Sequence, residues 1–230
     1  MFLSRLRMYL SMLRTDPLEF LVYILCFAVA ILTSLILHEC AHGFVAYKCG
    51  DPTAKYMGRL SLDPRKHLDP IGTISMILLG IGWAKPVPVN PRNYRNYRRD
   101  DILVSMAGIV MNLCLFVLST FLLVLQARLG GNYANWGIGM QVLQEFLRLL
   151  AQINVSLAVF NFLPIPPLDG YHLFNDILFR GRFQLDRNTF QIAQIVLLIL
   201  CLSGALSGVL GTVNSALYNG MLNVWIRVLW

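Results

Sequence analysis

The stretch Leu18–Leu37, LEFLVYILCFAVAILTSLIL, carries one charged side chain, Glu19, in a run long enough to cross a lipid bilayer. A membrane-spanning helix needs about 18 or more predominantly apolar residues. Hydrocarbon offers no partner to backbone N–H and C=O groups, so only helices and closed barrels span it. Further runs of this kind cover Ile102–Ala127, Ile138–Leu163 and Phe190–Leu210. Charged residues make up 13% of the chain, against about 25% in soluble domains. These features predict an all-α polytopic membrane protein with four to six transmembrane helices. No small-residue cleavage signal follows Leu37, so the first run reads as a retained span rather than a signal peptide.

The segments between the runs differ in kind. Residues 1–16 alternate Arg5, Arg7 and Arg14 with Leu, Met, Phe and Tyr, the pattern of an amphipathic helix lying among lipid headgroups. Pro17 then starts a helix expected to reach Cys49. Gly50–Pro70 is dense in Gly, Pro and Asp and reads as loop. Ile71–Ala84 is apolar but only 14 residues long with three glycines, too short for an easy crossing, and reads as re-entrant or interfacial. Lys85–Asp101, KPVPVNPRNYRNYRRDD, reads as irregular chain or an edge strand because its prolines cannot donate to a ladder. The prolines of NFLPIPPLDG end the helix expected over Ile138–Leu163. The tail SALYNGMLNVWIRVLW either spans weakly or lies in the interface. The chain thus divides into an interfacial segment (1–16), a core (17–180) with a re-entrant or extended loop region between its first two spans, and C-terminal helices (181–230).

The net charge of +7 points to cytoplasmic loops facing anionic lipid and not to nucleic acid. Five cysteines without a CxxC spacing, mostly inside apolar runs, read as small buried hydrophobes, not a disulfide framework.

Chemistry concentrates at the end of the first span, in His38-Glu39-Cys40-Ala41-His42. Residues four apart share one face of a helix, so both imidazoles can reach one zinc ion. Glu39 lies beside them, placed to take a proton from water rather than to bind the metal. Ionisable groups within a span are expensive and default to a functional reading. The plainer alternative has interfacial histidines at a helix end with Glu39 snorkelling to water. Bis-histidine haem ligation fits less well, because its ligands usually come from facing helices. A hydrolytic zinc site needs a third protein ligand and one open position; the candidates are His67, His172, Glu19, Glu145 and the aspartates. Asp169 in NFLPIPPLDGYHLF stands out. It follows a proline-stiffened break, and irregular backbone at membrane depth must face protein or a water-filled cavity.

HECAH on the first span together with NFLPIPPLDG downstream resembles the site-2 protease family of intramembrane zinc metalloproteases. Its Asn-x-x-Pro…Leu-Asp-Gly pattern falls on Asn161, Pro164, Leu168, Asp169 and Gly170. The resemblance implies Zn2+ held by His38, His42 and Asp169, Glu39 as the catalytic base, and Asn161 helping to hold an unwound substrate. GRLSLDPRKHLDPIGT and GWAKPVPVNP resemble the short bacterial branch, without room for a PDZ domain or a CBS pair. In MAGIVMN, Ile109 stands where the family often has proline ahead of the asparagine, here Asn112, which implies a loosened kink with the site retained. His67 is expected either beside the site, stabilising an oxyanion, or in a loop bonding backbone. His172 is expected either behind the metal ligands or capping the next helix.

The expected activity is hydrolysis of transmembrane segments of single-span membrane proteins, in regulated intramembrane proteolysis at a bacterial plasma membrane. The rivals are an inactive relative that binds membrane segments and a zinc-handling transporter. Topology bears on the zinc set, because His38 and His42 end one span and Asp169 follows another. Both ends must share a side of the membrane, which one return span, Ile102–Ala127, allows if Ile71–Ala84 does not cross. Lys48–Arg99 contains four Lys and six Arg against three Arg in the N-terminal segment. The positive-inside rule therefore puts the zinc end toward the cytoplasm. Substrate identity and oligomeric state are not legible from these features.

Overall fold

The computed structural model describes residues 2–79, 82–131, 136–182 and 185–230. It forms helices α1 (Phe2–Thr15), α2 (Pro17–Cys49), α3 (Thr53–Tyr56), α4 (Pro64–His67), α5 (Pro70–Leu79), α6 (Tyr97–Gly130), α7 (Ile138–Asn161), α8 (Asp169–Leu178), α9 (Arg187–Ser203) and α10 (Ser207–Leu229). Among the described residues β pairing is limited to one antiparallel bridge between Leu68 and Ala84. The all-α class stands. α2, α6 and α7 are each long and apolar enough to cross a membrane, and α9 with α10 form a bent pair that could supply a fourth span. That is the lower end of the expected range.

α2 starts where its sequence says it should. Pro17 occupies the first turn, and the Asp16 carboxylate accepts from the backbone N–H of Leu18 (2.9 Å) and Glu19 (3.0 Å). These two contacts satisfy donors that a helix N-terminus otherwise leaves open. Gly50 ends the helix in the left-handed conformation at φ 111°, as many helices end.

α6 begins earlier than expected, at Tyr97 and not Ile102. Asn96 accepts from Arg99 N (3.5 Å), and Asp100 Oδ2 accepts from Asn96 N (2.8 Å). This reciprocal capping draws the charged turn into the helix ahead of the apolar run. The expectation of irregular chain through Asp101 is corrected accordingly.

The core is a bundle of α2, α6 and α7. Cys26, Phe27, Ala30 and Ile31 of α2 pack on Leu149 and Leu150 of α7, and Phe116 of α6 packs on Ala151 and Val155 of α7. Polar ties cross the same interfaces: Asn154 Nδ2 donates to Ser34 Oγ (2.8 Å), fully buried between α7 and α2. Lipid tails are as apolar as leucine, so small residues and buried hydrogen bonds fix how such helices meet. On α7, Arg148 and Glu145 form an i,i+3 ion pair.

α5 has ten residues, about 15 Å of helix against a hydrocarbon core of about 30 Å. That is too short to cross. Its Met76 is buried against Cys26, Phe27, Ala30 and Ile31. Residues 80 and 81 of the expected re-entrant stretch lie outside the described residues.

After α5 the chain returns as a strap, residues 84–93, which runs without a helix to Asn90 and closes in a 3-10 turn, Pro91–Asn93. Lys85 N donates to His67 O (2.8 Å), and one Arg59 nitrogen donates to Lys85 O (2.8 Å) and Pro86 O (3.0 Å). Toward the C-terminus, the span expected over Phe190–Leu210 is broken. Gly204 at φ 79° separates α9 from α10, which bend by 75°. α10 returns to the bundle, where Trp225 Nε1 donates to Thr120 Oγ1 (3.2 Å).

Candidate metal centre

Four positions apart on α2, His38 and His42 point their imidazoles to one side, with Nε2 atoms 3.1 Å apart. Asp169 is the first residue of α8 and reaches them from the break after α7. Its Oδ2 lies 3.3 Å from each Nε2. These three atoms form the one group of metal-capable donors found among the described residues. Donors about 2.0–2.1 Å from a tetrahedral ion stand about 3.3 Å apart, so the triangle has the edges a zinc site requires. Asp169 Oδ2 is buried and makes no hydrogen bond with favourable geometry, as suits an atom whose partner is a cation.

Each histidine is oriented from behind. His42 Nδ1 donates to Val104 O (2.7 Å), which leaves Nε2 with its lone pair toward the metal. His38 Nδ1 stands 3.1 Å from the Asn112 amide, which is fully buried, while Asn112 Oδ1 lacks a partner as oriented. Exchanging the two amide atoms by a half-turn, a choice hydrogen bonding decides, makes Oδ1 the acceptor of His38 Nδ1–H. The same tautomer then holds at both histidines.

Val104, Gly108 and Asn112 recur every four residues and form one stripe of α6 facing these ligands. Between its two hydrogen-bonding members, Gly108 lets α6 approach: a Cβ there would overlap His38 Cε1 and His42 Nε2. Gly170 plays the matching part after Asp169, since a Cβ would come within 2.5 Å of the Leu163 and Phe162 carbonyl oxygens. The Leu-Asp-Gly order is thus a packing requirement of the turn that delivers the carboxylate.

Glu39 stays outside the donor triangle. Its Oε2 accepts from Val87 N (2.8 Å) in the strap. Of the other residues singled out in the sequence, Asn161 closes α7 just ahead of the break, half-buried. His67 is fully buried, with Nε2 2.7 Å from Ser61 O and 3.9 Å from Cys40 Sγ. That places it at the end of the one-turn helix α4, its ring bonding backbone. His172 is exposed on α8, its ring edge-on to Tyr171.

Sequence reading did not single out Gly108, the Val104 carbonyl or the Val87 N–H. A glycine one helical turn before Asn112 was the available signal for the first; backbone groups leave none.

Among curated proteins, the chain is 45% identical over 163 residues to a Bacillus subtilis (strain 168) protein named "Putative zinc metalloprotease YwhC", covering 70% of this chain and 72% of that one. It is 32% identical over 170 residues to "Putative zinc metalloprotease Rip2" of Mycolicibacterium smegmatis (70% and 62% covered). It is 33% identical over 183 residues to the Rip2 of Mycobacterium tuberculosis strain H37Rv (77% and 66% covered). No solved structure matches. The sequence profile described as "Peptidase family M50" matches residues 26–133 and 131–204, a region that holds both histidines, the glutamate between them and the aspartate. With that coverage and a donor triangle of the right size, the chain belongs to peptidase family M50.

Proposed function

We propose that this metallopeptidase cleaves transmembrane segments of single-span membrane proteins, with His38, His42 and Asp169 holding zinc and Glu39 acting as base. One observation carries the reading. The donor triangle closes on a membrane-length helix, so the reacting group must be brought to the bilayer. Bound zinc supplies a Lewis acid that polarises the scissile carbonyl and brings the pKa of a water toward about 7. Glu39 takes the proton of the attacking water and returns it to the leaving amine. Val87 N–H holds one Glu39 oxygen and leaves the other free for that proton.

A helical substrate must unwind first, because its carbonyls are already hydrogen-bonded. Val87–Asn90, ahead of the 3-10 turn at Pro91, offers an edge beside Glu39 on which an opened segment can lie. Asn161, at the mouth of the break, is suited to hold it. The loops after α2 carry the excess of basic residues, which orients the site toward the cytoplasmic face of a plasma membrane.

The test pairs the wild-type protein with Glu39→Gln in detergent, measuring bound zinc and cleavage of a panel of single-span peptides. Zinc in both and cleavage by the wild type alone is the expected result. Cleavage confined to soluble peptides would refute the intramembrane substrate. Zinc carried across vesicle membranes equally by both proteins would favour a transporter.

A further inference from the structure

We propose that Asp51, outside the metal donors, is a positioning residue for Glu39 and acts through the strap of residues 84–93. Asp51 is fully buried just beyond the end of α2. Its Oδ1 accepts from Thr53 N (3.1 Å), Thr53 Oγ1 (2.5 Å) and Asn93 Nδ2 (2.8 Å), and its Oδ2 from Asn90 N (2.6 Å). Burial alone would push this carboxyl up; the hydrogen bonds from Thr53, Asn90 and Asn93 together outweigh it and keep the group ionised.

Those bonds fix where the strap runs. It is tied at one end by Lys85 N to His67 O and at the other by Asn90 and Asn93 to Asp51. Midway, Val87 N donates to Glu39 Oε2, and the Val87 side chain is buried over Gly43. Pro86 and Pro88, on either side, have no N–H to add a tie of their own. The Val87 N–H therefore keeps its aim only while both ends hold. Releasing the Asn90 end leaves Glu39 free to leave the rotamer that the Val87 N–H holds.

A carboxylate is needed because only an acceptor meets every donor that converges there. In Asp51→Asn the amide oxygen can serve the Thr53 and Asn93 donors, but Nδ2 then confronts the Asn90 N–H. The substitution releases the strap while sparing the turn after α2.

The inference rests on Glu39 being the base of the proposed reaction. Its experiment compares wild type, Asp51→Asn and Val87→Pro for bound zinc, for the visible spectrum of the Co2+-substituted protein, and for kcat and KM. Both variants are expected to keep the metal and its spectrum while kcat falls about 10²-fold, the cost of a misplaced reacting group. KM is expected to move far less, since a loss confined to kcat marks an interaction made in the transition state. Val87→Pro removes the N–H directly and leaves the Asp51 bonds intact. A second readout needs no substrate: Val87→Cys, buried beneath the strap, is alkylated with and without Asp51→Asn and followed by peptide-resolved mass spectrometry. Faster alkylation in the double variant is expected.

Wild-type kcat in Asp51→Asn, activity lost only in step with zinc, or unchanged alkylation would each overturn the role. If the wild-type protein cleaves no membrane peptide, the proposed substrate class falls, and alkylation alone decides the link from Asp51 to the strap.

Discussion

The bundle of α2, α6 and α7 and the helix α9 are all rich in apolar residues but are held in opposite ways. Both interfaces of α2 in the bundle carry a buried polar tie: His38 to Asn112 with α6, Ser34 to Asn154 with α7. In α9 Leu197 is the single buried residue, and Ile192, Ile195, Val196, Leu198, Ile199 and Leu202 are all exposed. Apolar surface alone gives a helix no reason to choose one neighbour over lipid. Small and polar residues at matched depths do, and the same residues that set the register of α2 against α6 aim the metal ligands. In this molecule packing and chemistry share side chains in the bundle and not in α9.

The contrast breaks most visibly at the metal. Asp169→Ala or His42→Ala should remove stoichiometric zinc and all measurable cleavage, and chelation should do the same to the wild type reversibly, as followed by metal analysis and a peptide assay. Gly108→Ala should come next. Its methyl enters the space of both imidazoles, so zinc affinity should fall beyond the roughly 10–100-fold expected when a ligand's hydrogen-bond partner is lost. Asn112→Ala should show that 10–100-fold loss, read by competition with a chromophoric chelator.

Away from the metal the effects shrink. Asn154→Leu should destabilise the bundle by about 1 kcal/mol, the scale of an interhelical hydrogen bond in a membrane protein. Leu198→Ala on α9 should stay within about 0.5 kcal/mol, both compared by unfolding in one detergent. Equal losses from these two substitutions would dissolve the distinction between the regions. The smallest effect is one of pH. Asp51 has a depressed pKa in the folded chain, so its contribution is present above the ordinary aspartate pKa of about 3.9 and fades as pH falls through the lower folded value. The difference in thermal midpoint between wild type and Asp51→Asn should therefore narrow as the pH drops below about 4.

The three long helices were legible because each is an apolar run of membrane length with clear ends, Asp16-Pro17 and Gly50 above all. The donor triangle was legible because His38 and His42 recur at helical spacing and the family resemblance carried by NFLPIPPLDG pointed to Asp169. The ends of α6 and α9 were not. Asn96 caps a helix whose first turn is written in arginine and aspartate, which reads as loop until the cap is seen. Gly204 interrupts an apolar run that has no other sign of a break. Gly108 and Asp51 were hidden for a different reason. α6 is apolar on most of its circumference, so periodicity does not tell which stripe meets α2. Asp51 works through backbone N–H groups, and those look alike in every sequence.

α2 can also be read as a ruler. Counted from Pro17, His38 lies roughly 30 Å along the helix, the thickness of a bilayer's hydrocarbon core. With its N-terminus anchored at one face in the proposed orientation, the metal rides at the level of the opposite boundary. A thinner membrane leaves that level in water and a thicker one draws it under the acyl chains, unless the helix tilts to compensate. The lipid around this protein therefore sets how wet its zinc is, and reconstitution in bilayers of graded chain length would vary hydration at the site without changing a residue.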